Sequence, residues 1–359
     1  MTLLMTTYER MSRIYEHKEP DRVPITDWFW KSTIAGFYND GFPNDISLED
    51  FFGIDKIIYI SNDLIDTSPR FPYRIVEETD TYLIDQDSWG LTKKNFKPVS
   101  STCQHISSCI YDRDSWEKYK HNLTPDRDRI NWKYLKDNYS QWRRDGYWIT
   151  VFPWFGLDVI STRMINSETV LYAMADDPEW VMDMCDTTCN LTLALLELLL
   201  DAGYNFDELH IPDDMGYRNG MLFSRQMWKD IVMPYQKRAV DWAHSKGIKF
   251  QLHSCGDIKA ILPDLVDLGI DMLNPLEVKA NMDLVKVKEE YGNKLALRGG
   301  FDARNWEYRE KAEAEIREKL PIAMKNGGYL FACDHSVPDT VSLEDYRFIV
   351  ELVKKVGTY

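Results

Sequence analysis

Short apolar runs and amphipathic stretches alternate through the second half of the chain with a regular rhythm. Phe206–Ile211 reads as a strand and is followed by the polar loop Pro212–Gly220. Ser224 then caps a helix that runs to about Ser245 and stops at Gly247. Ile248–Leu252 is the next strand, then a helix near Ile258–Asp267 closed by Gly269. Asp271–Asn274 and Leu295–Leu297 are further strands, separated by a helix over Met282–Tyr291. The amphipathic run Tyr308–Met324, the strand Tyr329–Ala332 and a last helix opened by the capping pair Ser342 and Asp345 complete the pattern. Strand, loop, helix and tight turn recurring in this way imply a parallel sheet covered by helices.

Three earlier strands fit the same scheme: Val23–Trp28, Lys56–Ile60 and Tyr147–Phe152, with a long helix from Pro178 to Leu200 after the third. Eight strands in all make a (β/α)8 TIM barrel the expected α/β fold, one domain over residues 1–359. A doubly wound open sheet is the alternative, but no Gly-x-Gly-x-x-Gly follows an early strand. The stretch from Tyr73 to Arg144 breaks the rhythm, and is expected to be a lobe or lid inserted between the second and third barrel strands, with hairpins around Thr81–Leu91.

Charge narrows the partners. Lys and Arg number 43 against 58 Asp and Glu, a net −15, which disfavours nucleic acid and anionic membrane surfaces. The longest apolar stretch, around Leu191–Leu200, is too short and too interrupted to span a bilayer. The first residues lack the basic and apolar regions of a signal peptide, and six widely spaced cysteines do not form a secreted disulfide framework. A cytoplasmic protein with reduced thiols is the expectation.

Candidate chemistry collects at the carboxyl ends of the expected strands, where barrel enzymes place their active sites. His253 and Cys255 are two residues apart at one strand end, so both side chains can reach one ion. Cys333 ends the last strand in the equivalent place, and one imidazole with two thiolates suits zinc with a position left free. Ordinary packing of these residues is the competing reading. Glu277 is a further ligand candidate, with a solvated helix-start glutamate as its alternative. Cys185 and Cys189, on one helix face, read as core, and Cys103, His105 and Cys109 as structure.

The sequence His253-Ser254-Cys255-Gly256-Asp257, then Leu268–Asn274 (LGIDMLN), Leu297-Arg298-Gly299-Gly300 and Asp334-His335-Ser336-Val337-Pro338, resembles the uroporphyrinogen decarboxylase superfamily. Pro20-Asp21-Arg22-Val23-Pro24 is similar to that family's lead into its first strand. The resemblance implies an α/β barrel enzyme, either a porphyrinogen decarboxylase or a corrinoid-dependent methyltransferase. Decarboxylase members carry an arginine-rich motif absent from Arg22–Lys31 (RVPITDWFWK). The methyltransferase branch has a His-x-Cys and a distant Cys as zinc ligands, which His253, Cys255 and Cys333 match. A glutamate 22 residues after the first cysteine, as Glu277 is here, occurs in the similar cobalamin-independent methionine synthase.

The activity so implied is zinc-dependent methyl transfer between a methylcobamide on a small corrinoid protein and a small-molecule thiol. Transfer from a methoxylated or N-methylated substrate to a corrinoid protein, decarboxylation, and non-catalytic metal-stabilised binding are the alternatives. No Asp-x-His-x-x-Gly corrinoid signature is present, so methylcobalamin would come with the partner. Asp213 and Asp214 are candidates for orienting the substrate or taking a proton, or are simple loop caps. His335 is a candidate supporting residue for the metal site, and Arg298 and Asp334 are candidates for binding substrate, Arg298 through an anionic group. The resemblance implies a monomer or homodimer working transiently with the corrinoid protein.

Overall fold

In the computed structural model, residues 4–97 and 103–359 are described. The helix Thr7–Tyr15, capped by Thr6 and Glu9 reciprocally, precedes the first regular strand. That strand, β1 (Ile57–Ser61), is followed by β2 (Arg74–Glu78), β3 (Tyr82–Gln86), β4 (Leu91–Phe96) and β5 (Gln104–Ser108). These four pair antiparallel in sequence order, and helices Arg113–Tyr119 and Trp132–Arg144 follow them. The chain then returns to β6 (Trp148–Phe152), which lies beside β1.

The remaining strands are β7 (Glu208–Pro212), the small hairpin β8 (Gly216–Tyr217) and β9 (Gly220–Met221), β10 (Lys249–His253), β11 (Met272–Asn274), β12 (Ala296–Arg298) and β13 (Tyr329–Leu330). Apart from that hairpin, they join β1 and β6 in a seven-stranded parallel sheet of order β1-β6-β7-β10-β11-β12-β13, an α/β fold. Long helices connect the strands. Helix Pro178–Asp201 starts on an Asp177 cap with proline in its first turn and buries Trp180, Val181, Met184, Leu195 and Leu199. Cys185 and Cys189 lie inside that apolar face, as core.

Two expected elements differ. Val23–Trp28 is not a regular strand: Pro24 has no N–H to give, and the segment makes single parallel bridges, Ile25 to Phe331 and Phe29 to Val337. Even so, Phe331 N donates to Pro24 O, Thr26 N to Phe331 O and Asp55 N to Ile25 O. The segment therefore touches both β13's continuation and the residue leading into β1. Asp55 anchors it, accepting from Ile25 N at 2.9 Å and pairing with Arg10 at 3.0 Å and Arg22 at 2.6 Å. Second, the helix expected from Ser224 contains a π-helical stretch, Trp228–Val232, and the loop after β7 contains the β8–β9 hairpin.

Inside the sheet, Trp148, Met272, Ala296 and Leu330 pack with Met11, Ile14 and Tyr15 of the first helix. This plugs the amino-terminal ends of the strands. The opposite, carboxyl ends carry the polar residues.

Candidate functional site

β10 sits near the middle of the sheet, between β7 and β11, and its last residue is His253. The ring is held by β11: His253 Nδ1 lies 2.6 Å from Asn274 Oδ1. An amide oxygen only accepts, so the proton is on Nδ1 and Nε2 keeps a free lone pair. Nε2 faces two groups, Cys255 Sγ at 3.4 Å and Asp214 Oδ1 at 3.5 Å. Asp214 is fixed in turn by the Cys255 backbone N–H at 2.7 Å.

The turn bearing Cys255 has little freedom. Gly256 has φ 82°, and a β-carbon there would stand 2.2 Å from the Gly216 carbonyl carbon. Gly256 N donates to Glu277 Oε2 at 2.7 Å, and the other oxygen of Glu277 pairs with Lys279 at 2.8 Å. His335 approaches from the far side, stacked on Trp30.

Potential ligand atoms form two groups that share Cys255: Asp214, His253 and Cys255, and Cys255, Glu277 and His335, all within 4.8 Å of one another in each group. Zinc bound at about 2.0–2.3 Å separates tetrahedral donors by roughly 3.3–3.8 Å. The 3.4 and 3.5 Å separations fit that edge. The electrostatics agree, because burial together with Asp214 and Glu277 pushes the Cys255 thiol well above its ordinary value. An acidic pocket that resists forming a thiolate is one that a cation would complete. Burial and the Lys279 charge lower His335, which leaves it neutral and able to donate a lone pair.

Cys333 is not in either group. Its backbone N–H donates to Asp27 Oδ1 at 2.7 Å, and burial with the Asp27 charge raises its thiol far above the usual range. Strand alternation is the reason. Leu330 packs in the interior cluster at the strand floor, so Cys333 falls on the opposite face with Phe331, and His335 reaches the site instead. Nor do Cys103, His105 and Cys109 form a metal group among the described residues; His105 Nε2 is 2.9 Å from Ser108 Oγ.

Asp213 is set apart from Asp214. Fully buried, it accepts from Asp158 N at 3.0 Å, from Gln236 Nε2 at 2.6 Å and from the Tyr235 hydroxyl. With both oxygens engaged it organises the loop rather than facing the metal group, and burial pushes its carboxyl up to about 6. Asp334 is similarly occupied, accepting from Val278 N at 3.0 Å and Ala303 N at 3.1 Å. Arg298 lies inside the sheet, one layer below His253, where Nη1 donates to the Tyr59 hydroxyl at 3.1 Å.

Two residues join the site without having been singled out from the sequence. Asn274 sets the His253 tautomer, and its only signal is its place at a strand end. Asp158 follows Gly156 after β6, and burial, Asp214 and Asp213 raise its carboxyl to about 8.

Among known proteins, the methyltransferase from Methanosarcina mazei has a similar structure, with a TM-score of 0.67 and 15% identity, covering 98% of this chain and 99% of that one. A uroporphyrinogen decarboxylase from Chloroherpeton thalassium is 27% identical over 138 residues, which is 37% of this chain and 38% of that protein. The match thus spans well under half of that relative's length. The uroporphyrinogen decarboxylase (URO-D) family matches residues 159–356, the stretch that carries β7 and β10 to β13 and every candidate ligand. With more than half of its length matched, this chain belongs to the uroporphyrinogen decarboxylase family.

Proposed function

We propose that the protein is a zinc-dependent methyltransferase that moves a methyl group between a corrinoid carried by a small partner protein and a small-molecule thiol. The observation that carries this reading is the placement of Cys255 Sγ and Asp214 Oδ1 at 3.4 and 3.5 Å from the Nε2 of His253, whose Nδ1 is held by Asn274. In this reading Cys255 and His253 hold the ion with Asp214, and His335 and Glu277 stand on the other side of the thiol. Zinc, when bound, supplies a Lewis acid that ionises a thiol near neutral pH. The chain's own residues do the rest. Asn274 orients His253, and Gly256 N fixes Glu277. Burial, Asp214 and Asp213 raise the Asp158 carboxyl, which makes it the acid of this cluster that holds a proton most readily before a cation binds.

The fold reading goes further as well. The Val23–Thr26 segment, bonded to Phe331 on one side and to Asp55 on the other, serves as the eighth strand of a (β/α)8 barrel. The mouth of that barrel would receive the corrinoid partner. No described helix is long and apolar enough to cross a membrane.

The solved relative from Methanosarcina mazei is called a methyltransferase, which supports this reading. Decarboxylation is less well served. It needs several cations converging on carboxylates, whereas the residues around Cys255 are the acids Asp158, Asp214 and Glu277, and Lys279 is already paired with Glu277.

Protein purified without chelator should carry about one zinc per chain, and Cys255→Ser should lose most of it. Asp214→Ala and Cys333→Ser, measured side by side, decide which residue completes the set with Cys255 and His253; the geometry favours Asp214. Zinc-loaded protein incubated anoxically with methylcob(III)alamin and small thiols should form cob(I)alamin, and with Cys255→Ser should not. No turnover with any thiol, nor from methoxylated or N-methylated donors to cob(I)alamin with corrinoid protein supplied, sinks the reading.

A further inference from the structure

Beneath His253 the interior of the sheet holds a layer of polar side chains with unmet hydrogen-bonding capacity. Tyr59 pairs in register with Thr150, and His210 with Gln251; Arg298 reaches across from β12 to Tyr59. Arg298 is 1% exposed and His210 1%. Among the described residues, Arg298 Nε and Nη2, His210 Nδ1, Thr150 Oγ1 and Gln251 Oε1 have no hydrogen-bond partner.

The unpaired groups are mostly donors. Gln251 Nε2 lies 3.3 Å from His210 Nε2, and an amide nitrogen only donates, so His210 carries its proton on Nδ1. Arg298 Nε and Nη2 form one edge of the guanidinium, with two parallel N–H bonds spaced to match the two oxygens of a carboxylate. Other arginines in this protein use the same edge for that purpose. Arg10 holds Asp21 through Nε at 2.6 Å and Nη2 at 2.8 Å, Arg225 holds Asp264 at 2.6 and 2.8 Å, and Arg304 holds Asp302 at 2.8 and 2.7 Å. The edge of Arg298 is free.

The acids nearest Arg298 do not fill it. Glu208 Oε2 accepts from Tyr15 at 2.6 Å and Trp148 at 2.9 Å, and Asp27 accepts from Cys333 N and Tyr346. Buried donors without partners are costly, so this arrangement needs a compensating reason. Above them, the Trp28 ring lies 5.9 Å from the Arg298 guanidinium and packs on Tyr59 and Phe152. Trp28 is also 37% exposed, so its ring meets solvent on one side and this layer on the other.

We infer that Arg298, with His210 and Thr150, is the anchor for a carboxylate on the substrate, entering past Trp28 so that its other end meets Cys255 and His253. The substrate class is therefore a small carboxylic acid. Which end of it reacts rests on the methyl-transfer reading; the anchor itself does not. His210 and His253 have ring centroids 6.3 Å apart, so the two layers lie close enough for one small acid to meet both.

Calorimetry on the full-length zinc-loaded protein tests it with two matched pairs: 3-mercaptopropionate against 3-mercaptopropionamide, and propionate against propionamide. The acid of each pair should bind at least about ten-fold more tightly than its amide, as a charge-assisted bidentate pair provides. Arg298→Gln should abolish the preference while leaving amide binding of the thiol pair intact. His210→Phe should weaken the acids several-fold and not the amides, and decides the matter if Arg298→Gln does not fold. Equal binding of acid and amide by the unaltered protein overturns the inference, as does a preference that survives in a folded Arg298→Gln. An Arg298-dependent preference without methyl transfer would remove the proposed activity and leave the anchor standing.

Discussion

Replacing Asn274 by leucine tests the metal site through a residue that does not touch the metal. The side chain is buried, and its oxygen is the partner of His253 Nδ1 at 2.6 Å. The backbone oxygen of Asn274, which accepts from Ser254 N at 2.8 Å, is untouched by the substitution, so the strand pairing persists. Without the amide oxygen, the variant has two choices. It can keep the proton on Nδ1 and bury an unpaired donor, at about 1–3 kcal/mol. Alternatively, it can move the proton to Nε2, which then cannot bind a metal. Either route weakens zinc by roughly ten- to a hundred-fold, the range found when such supporting hydrogen bonds are removed.

Asn274→Asp should behave oppositely, because a carboxylate still accepts from Nδ1 and adds negative charge beside the imidazole. Zinc affinity is read by competition with a chromophoric chelator at pH 7.5, with far-ultraviolet circular dichroism to show that each variant is folded. A folded Asn274→Leu within two-fold of the parent would refute the argument. It would mean that His253 is not held for ligation by this bond, or is not a ligand.

Further measurements probe the same architecture elsewhere. Burial raises Glu208 from 4.5 to about 6, so the stability tied to its protonated form is complete below about pH 4.5 and is lost as pH rises through 6. The gap in unfolding free energy between Glu208→Gln and the parent should therefore move in the variant's favour by about 2 kcal/mol between pH 4.5 and 7.5. Urea denaturation at the two pH values checks this, and a constant gap would contradict it. Gly256→Ala must displace the Gly216–Tyr217 backbone, which the new β-carbon would meet at 2.2 and 2.4 Å. It should lower stability by at least about 2 kcal/mol and strip the zinc from Cys255; a parent-like midpoint and zinc content would show the turn to be yielding.

The sheet was legible where strands are short, apolar and separated by turn glycines. Glu208–Pro212, Lys249–His253 and Met272–Asn274 fall within a residue or two of their expected positions. Legibility ended where backbone geometry leaves no mark on composition. Val23–Trp28 looks like a strand by hydrophobicity, but Pro24 interrupts its ladder and only single bridges form. The π-helical stretch Trp228–Val232 carries an ordinary amphipathic sequence. His253, Cys255 and Glu277 stood out as candidate ligands because they are polar residues at apolar strand ends, and Asp214 as a candidate for a substrate or proton role; the structure brings the other three close to Cys255, and metal binding there is the proposal. Cys333 lies outside both groups, because nearness to a strand end says nothing of which face a residue takes; the apolar floor position of Leu330 holds that information. Asn274 and Asp158 were missed because their roles depend on partners from other strands.

The charge distribution along the interior also bears on how one family can hold different reactions. The rim here is acidic, with Asp158, Asp214 and Glu277 gathered around Cys255, and the layer below is basic, with Arg298 enclosed. A substrate with many carboxylates would meet repulsion at the rim before it reached the free guanidinium edge of Arg298. One with a single carboxylate can pass once a divalent cation has offset the rim, and is then drawn to the layer below. In the proposed reading, the cation that would prepare a thiol for reaction would also admit the acid that carries it. Such a coupling would set this site apart from one lined by arginines, because an acidic rim without its metal repels anions, whereas an arginine-lined one attracts them. Decarboxylation and methyl transfer then differ in where the positive charge resides: in fixed side chains for one, in an exchangeable ion for the other.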